Sequence, residues 1–150
     1  MSPHTTLYLG DVTQTVMERA FKKSFQSLDA IFDFLDEGFE AFHVEESALF
    51  SVRFAVEEIF TNMVKYNPGG LDDVKIMIAR EGRQFSVRLV DSEGHPFDPR
   101  LSQEVDLESP IDEREPGGLG LHLTKEFMDR IEYDHQNHTG IVTLIKYLEM

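Results

Sequence analysis

An α+β fold, a two-layer sandwich with helices stacked on one face of a mixed, mostly antiparallel sheet, is what this chain predicts. Two stretches with helical apolar spacing come early, and two pairs of β-type runs are each joined through a short turn rather than a crossover helix. The length supplies the third observation. At 150 residues, 41% hydrophobic and with 12 phenylalanines, the chain is expected to be a single domain, 1–150, that buries a core without disulfide or structural metal.

Taken in order, residues 7–9 and 19–25 are expected as strands, the second placing Phe21, Lys23 and Phe25 on one face by alternation. Ser27 then has the chemistry of an N-cap for a helix carrying Leu28, Ile31, Phe32, Leu35 and Phe39 at three- and four-residue spacing. A second, longer helix over residues 46–66 presents Leu49, Val52, Val56, Ile59 and Met63 as its apolar stripe, and Asn67-Pro68-Gly69-Gly70 stops it. Residues 74–80 and 84–90 form a hairpin across Glu81-Gly82-Arg83. Residues 102–116, acidic and with two prolines, are expected as a mobile loop before a third helix over 118–130. Residues 131–136 and 141–147 close the chain as a hairpin through Asn137-His138-Thr139-Gly140.

Composition excludes several functions. With 28 acidic against 14 basic residues, a net charge of −14 disfavours direct nucleic-acid binding and favours a basic protein partner or a metal-complexed nucleotide, beside its plain role in solubility. The absence of cysteine removes thiol nucleophiles and Cys-ligated metal. No apolar run reaches membrane-spanning length, and the opening Met1-Ser2-Pro3-His4-Thr5-Thr6 lacks the regions of a signal peptide, so a soluble cytoplasmic protein is expected, without membrane contact. The histidines at 4, 43, 95, 122, 135 and 138 form no H-x-x-x-H pair, which leaves no expected zinc site and makes His122 an ordinary helix residue. Phe32, Phe34, Phe39 and Phe42 suit the core better than a partner groove, and Lys125 suits charge balance with Glu126 and Asp129 better than phosphate contact.

Chemistry concentrates in three stretches. Glu58 and Asn62, four apart on the second helix, stack on its edge, where a carboxylate can take a proton from a hydroxyl and an amide oxygen can ligate a hard cation such as Mg²⁺. From Leu89 to Pro99 a strand runs into a loop holding Asp91, Ser92 and Gly94, fit either to meet a flat base bearing an amine or to make a plain turn. Pro116-Gly117-Gly118-Leu119-Gly120-Leu121-His122 opens a helix with unobstructed amides, an anion site or a hinge; neither the P-loop nor the dinucleotide-binding pattern is met.

In this order and spacing, Phe54 to Asn62, Asp91 to Pro99 and Gly117 to Leu123 resemble the GHKL ATP-binding superfamily, most closely its anti-sigma-factor serine/threonine kinases of partner-switching pathways. The likeness covers about residues 18 to 148. It implies ATP and Mg²⁺ held between the second helix, the strand-end loop and a glycine-rich lid, with Glu58 as general base toward a Ser/Thr of a small antagonist protein and Asn62 as the Mg²⁺ ligand. It further implies that Asp91 or a neighbour meets adenine, that Gly117, Gly118 and Gly120, with Leu119 and Leu121 between and beside them, wrap the phosphates, and that Arg114 is a lid cation. Sequestration of a sigma factor or comparable target, and a homodimer, follow from the same likeness. Two positions depart from the superfamily pattern: Ser92 stands where the adenine-reading aspartate is usual, two residues before Gly94, and Pro96 replaces the second loop glycine. A bulge could return Asp91 to that role, or Ser92 could act through water. Two other readings are a non-catalytic nucleotide-sensing or partner-docking switch and a histidine-phosphorylating sensor fragment; the latter would need a phosphoacceptor helix that these residues lack.

Overall fold

Among the residues that the computed structural model describes, 4–9, 12–66, 73–92, 99–101 and 118–149, one six-stranded sheet carries three helices on one face. The strands are β1 (His4–Leu9), β2 (Val12–Phe21), β3 (Val74–Glu81), β4 (Gln84–Asp91), β5 (Arg130–Gln136) and β6 (Thr139–Tyr147); the helices are α1 (Leu28–Ala41), α2 (Glu46–Tyr66) and α3 (Gly118–Phe127). Their spatial order is β1-β2-β3-β4-β6-β5, with every neighbouring pair antiparallel, so the sheet expected to be mixed is antiparallel throughout its described strands. Both predicted turns are tighter than expected. Glu81 pairs with Gln84 and Gln136 with Thr139, which leaves two residues in each loop. Gly82 (φ +59°) supplies the positive φ of the first, and Asn137 (+51°) and His138 (+66°) that of the second.

Alternation sorts the central strands. Val74, Ile76 and Ile78 of β3 and Phe85, Val87 and Leu89 of β4 are wholly buried beneath the helices, joined by Val142 and Leu144 of β6. Onto them α1 places Ile31, Phe34, Leu35 and Phe39, and α2 places Val52, Ala55, Val56, Ile59 and Phe60. Each buried phenylalanine or branched residue in this layer contributes about 1.5–3 kcal/mol by leaving water. The helix α1 lies so close to β3 that a Cβ on Gly38 would stand 2.7 Å from Ile78 Cδ1. Of the four phenylalanines weighed for the core, Phe34 and Phe39 are buried, and Phe32 and Phe42 are partly buried against them.

The end of α1 is closed by backbone geometry. His43 takes a left-handed φ of +55°, so that Val44 N donates to Phe39 O at 2.9 Å and His43 N to Glu40 O at 3.2 Å. Arg80 reaches over from β3 and donates to Phe42 O (2.7 Å) and His43 O (3.0 Å), satisfying carbonyls that the helix leaves open.

Several boundaries differ from expectation. The strand β2 ends at Phe21 rather than running to residue 25, because Ser24 accepts from Gln26 N at 3.2 Å and starts a 3₁₀ turn, Phe25–Ser27, which leaves Phe25 exposed. Ser27 precedes α1 without capping it, its hydroxyl donating instead to Lys22 O at 2.7 Å. The helix α3 stops at Phe127, not 130, because Asp129 N donates to Ile145 O and Arg130 is already paired with Ile145 in β5. The first strand begins at His4, ahead of residue 7, and β2 begins at Val12, ahead of residue 19. The helix stop over 67–70 and the loop over 102–116 lie outside the described residues.

Candidate functional site

The direction of each element decides what can meet. Glu149 N donates to Glu45 Oε1 at 2.6 Å, tying the start of α2 to the end of β6, and there Tyr147 pairs with Gln84, the first residue of β4. The helix α2 therefore runs along β4 from its beginning toward its end at Asp91. Over 21 residues it spans ~31 Å, against ~27 Å for the strand, which brings its last turns to the Asp91 end of the sandwich. The helix α3 runs against α2. Phe127 at its C-terminus packs on Phe50 and Phe54 (ring centroids 5.7 and 5.4 Å), while Gly120 in its first turn lies against Glu58. The start of α3, the Glu58–Asn62 turn and the end of β4 thus gather at one end of the fold.

Within that end, Asn62 is buried rather than set on the helix edge as its spacing suggested, with only 3% of its surface exposed. Its Nδ2 donates to Glu58 Oε1 at 3.4 Å. Because a carboxylate only accepts, this bond sets which way the amide faces, and Oδ1 is left buried with no donor among the described residues. An amide oxygen so placed suits a hard cation. Burial pushes the Glu58 carboxyl above the ordinary carboxylate pKa; the Asn62 bond and the Lys65 charge pull it down, and Glu57 adds to the rise. Raised affinity for a proton is what a general base near neutral pH requires. A Cβ on Gly120 would collide with this carboxyl group, so only glycine lets α3 start here with Glu58 in place. Thr124, fully buried one turn on, donates to Gly120 O at 2.9 Å and steadies that turn.

At the end of β4 the pleat separates the two adenine candidates. Asp91 continues the Phe85, Val87, Leu89 row on the helix-facing side, and Ser92 follows as an exposed turn residue. Asp91 does not stand by itself. Lys23 Nζ lies 2.6 Å from its Oδ1, the two side chains 0% and 3% exposed. Sequence reasoning placed Lys23 only as one member of a strand alternation; its place on the expected face of Phe21 and Phe25 was the available signal of a buried charge.

Gly118 and Leu119 sit in the first turn of α3, followed by Gly120 and by Leu121, which is buried in the core. Gly94, Arg114 and Gly117 lie outside the described residues. His122 is exposed, and Lys125 Nζ points to Arg100 O at 3.5 Å. Among the described residues no cluster of three or more His, Asp or Glu could hold a metal. No described helix is long and apolar enough to cross a membrane.

Residues 21–146 match the family described as the histidine kinase-like ATPase domain. The chain is 25% identical over 100 residues to the serine/threonine-protein kinase BtrW of Bordetella bronchiseptica, covering 65% of this chain and 70% of that protein. It is 27% identical over 110 residues to the serine-protein kinase RsbW of Oceanobacillus iheyensis, covering 65% of this chain and 64% of the relative, just under two thirds. Among solved structures, the RsbU and RsbW domains of Rv1364c from Mycobacterium tuberculosis superpose with a TM-score of 0.64 at 12% identity, over 89% of this chain and 32% of that one. The SiaB–SiaC complex from Pseudomonas aeruginosa gives 0.59 at 14% identity, over 86% and 88%. Identities this low speak for a shared fold.

Proposed function

The chain belongs to the histidine kinase-like ATPase family, and from that premise we propose that it is an ATP-dependent protein serine/threonine kinase that phosphorylates a small antagonist protein and sequesters a sigma factor or comparable target. The observation that carries the reading is the buried Asn62 oxygen, lacking any donor among the described residues, on an amide whose other end is bonded to Glu58. The names of the two kinase relatives support the same activity.

Each residue then has a task. Glu58 takes the proton of the substrate hydroxyl as that oxygen attacks the γ-phosphorus and the bond to the bridging oxygen of ADP breaks. Asn62 Oδ1 would ligate Mg²⁺, whose charge offsets that of the phosphates. The amides of Gly118, Leu119, Gly120 and Leu121 at the positive end of α3 would hold the phosphates, with Gly117 and Arg114 completing the lid. Asp91 would accept a hydrogen bond from the adenine amine, and Gly94 would let the backbone approach the base. The net charge of −14 suits a basic target. A homodimer in the cytoplasm belongs to the same proposal.

Calorimetric titration with Mg·ATP, Mg·GTP and Mg·ADP tests the pocket, and transfer of labelled phosphate to a candidate antagonist tests the chemistry. No heat at millimolar nucleotide would end the proposal. Binding without transfer to any antagonist would leave a nucleotide-sensing switch in its place.

A further inference from the structure

A lysine whose side chain has no solvent exposure is an expensive way to fill the end of a sheet. Its ammonium loses hydration and its stem loses rotamer freedom, and an apolar residue of similar volume would often serve stability as well or better. Yet Lys23 lies two residues past Phe21, which pairs with Val74, which pairs in turn with Asp91, so that the ammonium comes within 2.6 Å of the carboxylate that ends the helix-facing row of β4. Phe21 and Val74, through which that pairing runs, are both buried and apolar. The contact is an ion pair rather than an aligned hydrogen bond, since Nζ has no hydrogen-bonded partner among the described residues.

We propose that Lys23 sets the base selectivity of the nucleotide site, as a positioning residue that holds Asp91 in place as a hydrogen-bond acceptor. The inference rests on the reading of Asp91 given above and adds the residue that makes it work. An ionised carboxylate only accepts, so it pairs with the amine at position 6 of adenine and repels the carbonyl that hypoxanthine and guanine carry there. Without the ammonium, Asp91 loses the ion pair that holds its Oδ1, and its carboxylate can turn from the acceptor position or be met by the donor of another base.

The experiment is calorimetry with Mg·ATP and Mg·ITP, nucleotides that differ in that one substituent, on the wild type, Lys23→Met and the charge-free double variant Lys23→Met/Asp91→Asn. The wild type should prefer ATP. Lys23→Met should lower the ATP-to-ITP affinity ratio by about tenfold or more, tenfold being the lower end of what one charge-assisted hydrogen bond contributes. The double variant, which leaves no orphaned charge, should bring the ratio near one, because an asparagine amide can serve either substituent. A ratio unchanged in both variants, or an equal loss for both nucleotides, would make Lys23 a brace only and overturn the inference. A wild type that binds both nucleotides equally would overturn it too while leaving the pocket intact, whereas a wild type that binds neither would remove the proposed function and this inference with it.

Discussion

Replacing Gly120 with alanine separates helix stability from site geometry. Gly120 is third in the ten-residue helix α3, and there alanine is favoured over glycine by ~1 kcal/mol. The new Cβ, however, would occupy the space of the Glu58 carboxyl group. What it displaces is the tip of a half-buried, flexible side chain, so the strain is relieved by rotating Glu58 and falls at the low end of the ~1–3 kcal/mol typical of overpacking. Gain and cost nearly cancel. In a chain of 150 residues the melting midpoint should then move by no more than about 3 °C. The carboxylate meanwhile leaves its 3.4 Å bond to Asn62 Nδ2, and the roughly 10²–10⁴-fold contribution of a general base goes with it. Transfer of labelled phosphate from Mg·ATP to the antagonist, measured beside a thermal melt, reads both quantities. Gly38→Ala is the counterpart: its Cβ would fall 2.7 Å from Ile78 Cδ1, packed core with no polar tip to swing away. It should lose ~1–3 kcal/mol and keep its rate per folded molecule. Wild-type transfer by Gly120→Ala, or a melt lowered as far as that of Gly38→Ala, would refute the assignment of Glu58 and Gly120 to one site.

Glu58→Gln should abolish transfer while leaving nucleotide affinity nearly unchanged, and it should also melt higher than the wild type at neutral pH. The folded protein holds the Glu58 proton more tightly than the unfolded chain, so stability from this group is present in acid and is lost as pH rises through the folded pKa. Glutamine has no such loss, and melts taken across pH should show the gap closing below the ordinary carboxylate range. Asn62→Ala should bind nucleotide with little dependence on Mg²⁺, seen by titration with and without chelator. Arg80→Met removes charged donors from three carbonyls, those of Phe42, His43 and Gly82, and should cost about 1–3 kcal/mol in urea unfolding, while His43→Gly, which relieves a left-handed backbone, should gain about 1 kcal/mol.

Much of this architecture was legible because local signals and tertiary demands agreed. The apolar period of α2 agrees with its course over Glu46–Tyr66, and Gly82 marked its turn. Where they disagreed, tertiary structure prevailed. The alternation of Phe21, Lys23 and Phe25 imitates a strand, but the chain leaves the sheet after Phe21 to bring Lys23 to Asp91, a partner 68 positions away that no local pattern encodes. The helix α3 carries no proline or glycine at its end, and its stop is imposed by Ile145 of the neighbouring strand. At the site, spacing put Glu58 and Asn62 together, and the structure pairs them; what spacing could not show is that Asn62 is buried, since its neighbours Met63 and Lys65 lie nearer to solvent. Nor could the sequence choose between Asp91 and Ser92, because that choice depends on which side of the pleat each falls.

The sheet is assembled from three hairpins, β1 with β2, β3 with β4 and β5 with β6, and only the β2–β3 and β4–β6 pairings join distant stretches of chain. Each hairpin can zip up early because its ends are already neighbours, so little entropy is lost in closing it. The slow step falls on docking one preassembled ribbon against another beneath α1 and α2. Asp91 meets Lys23 only when the β2 and β3–β4 ribbons have joined, which makes the proposed nucleotide pocket among the last parts of the molecule to take shape.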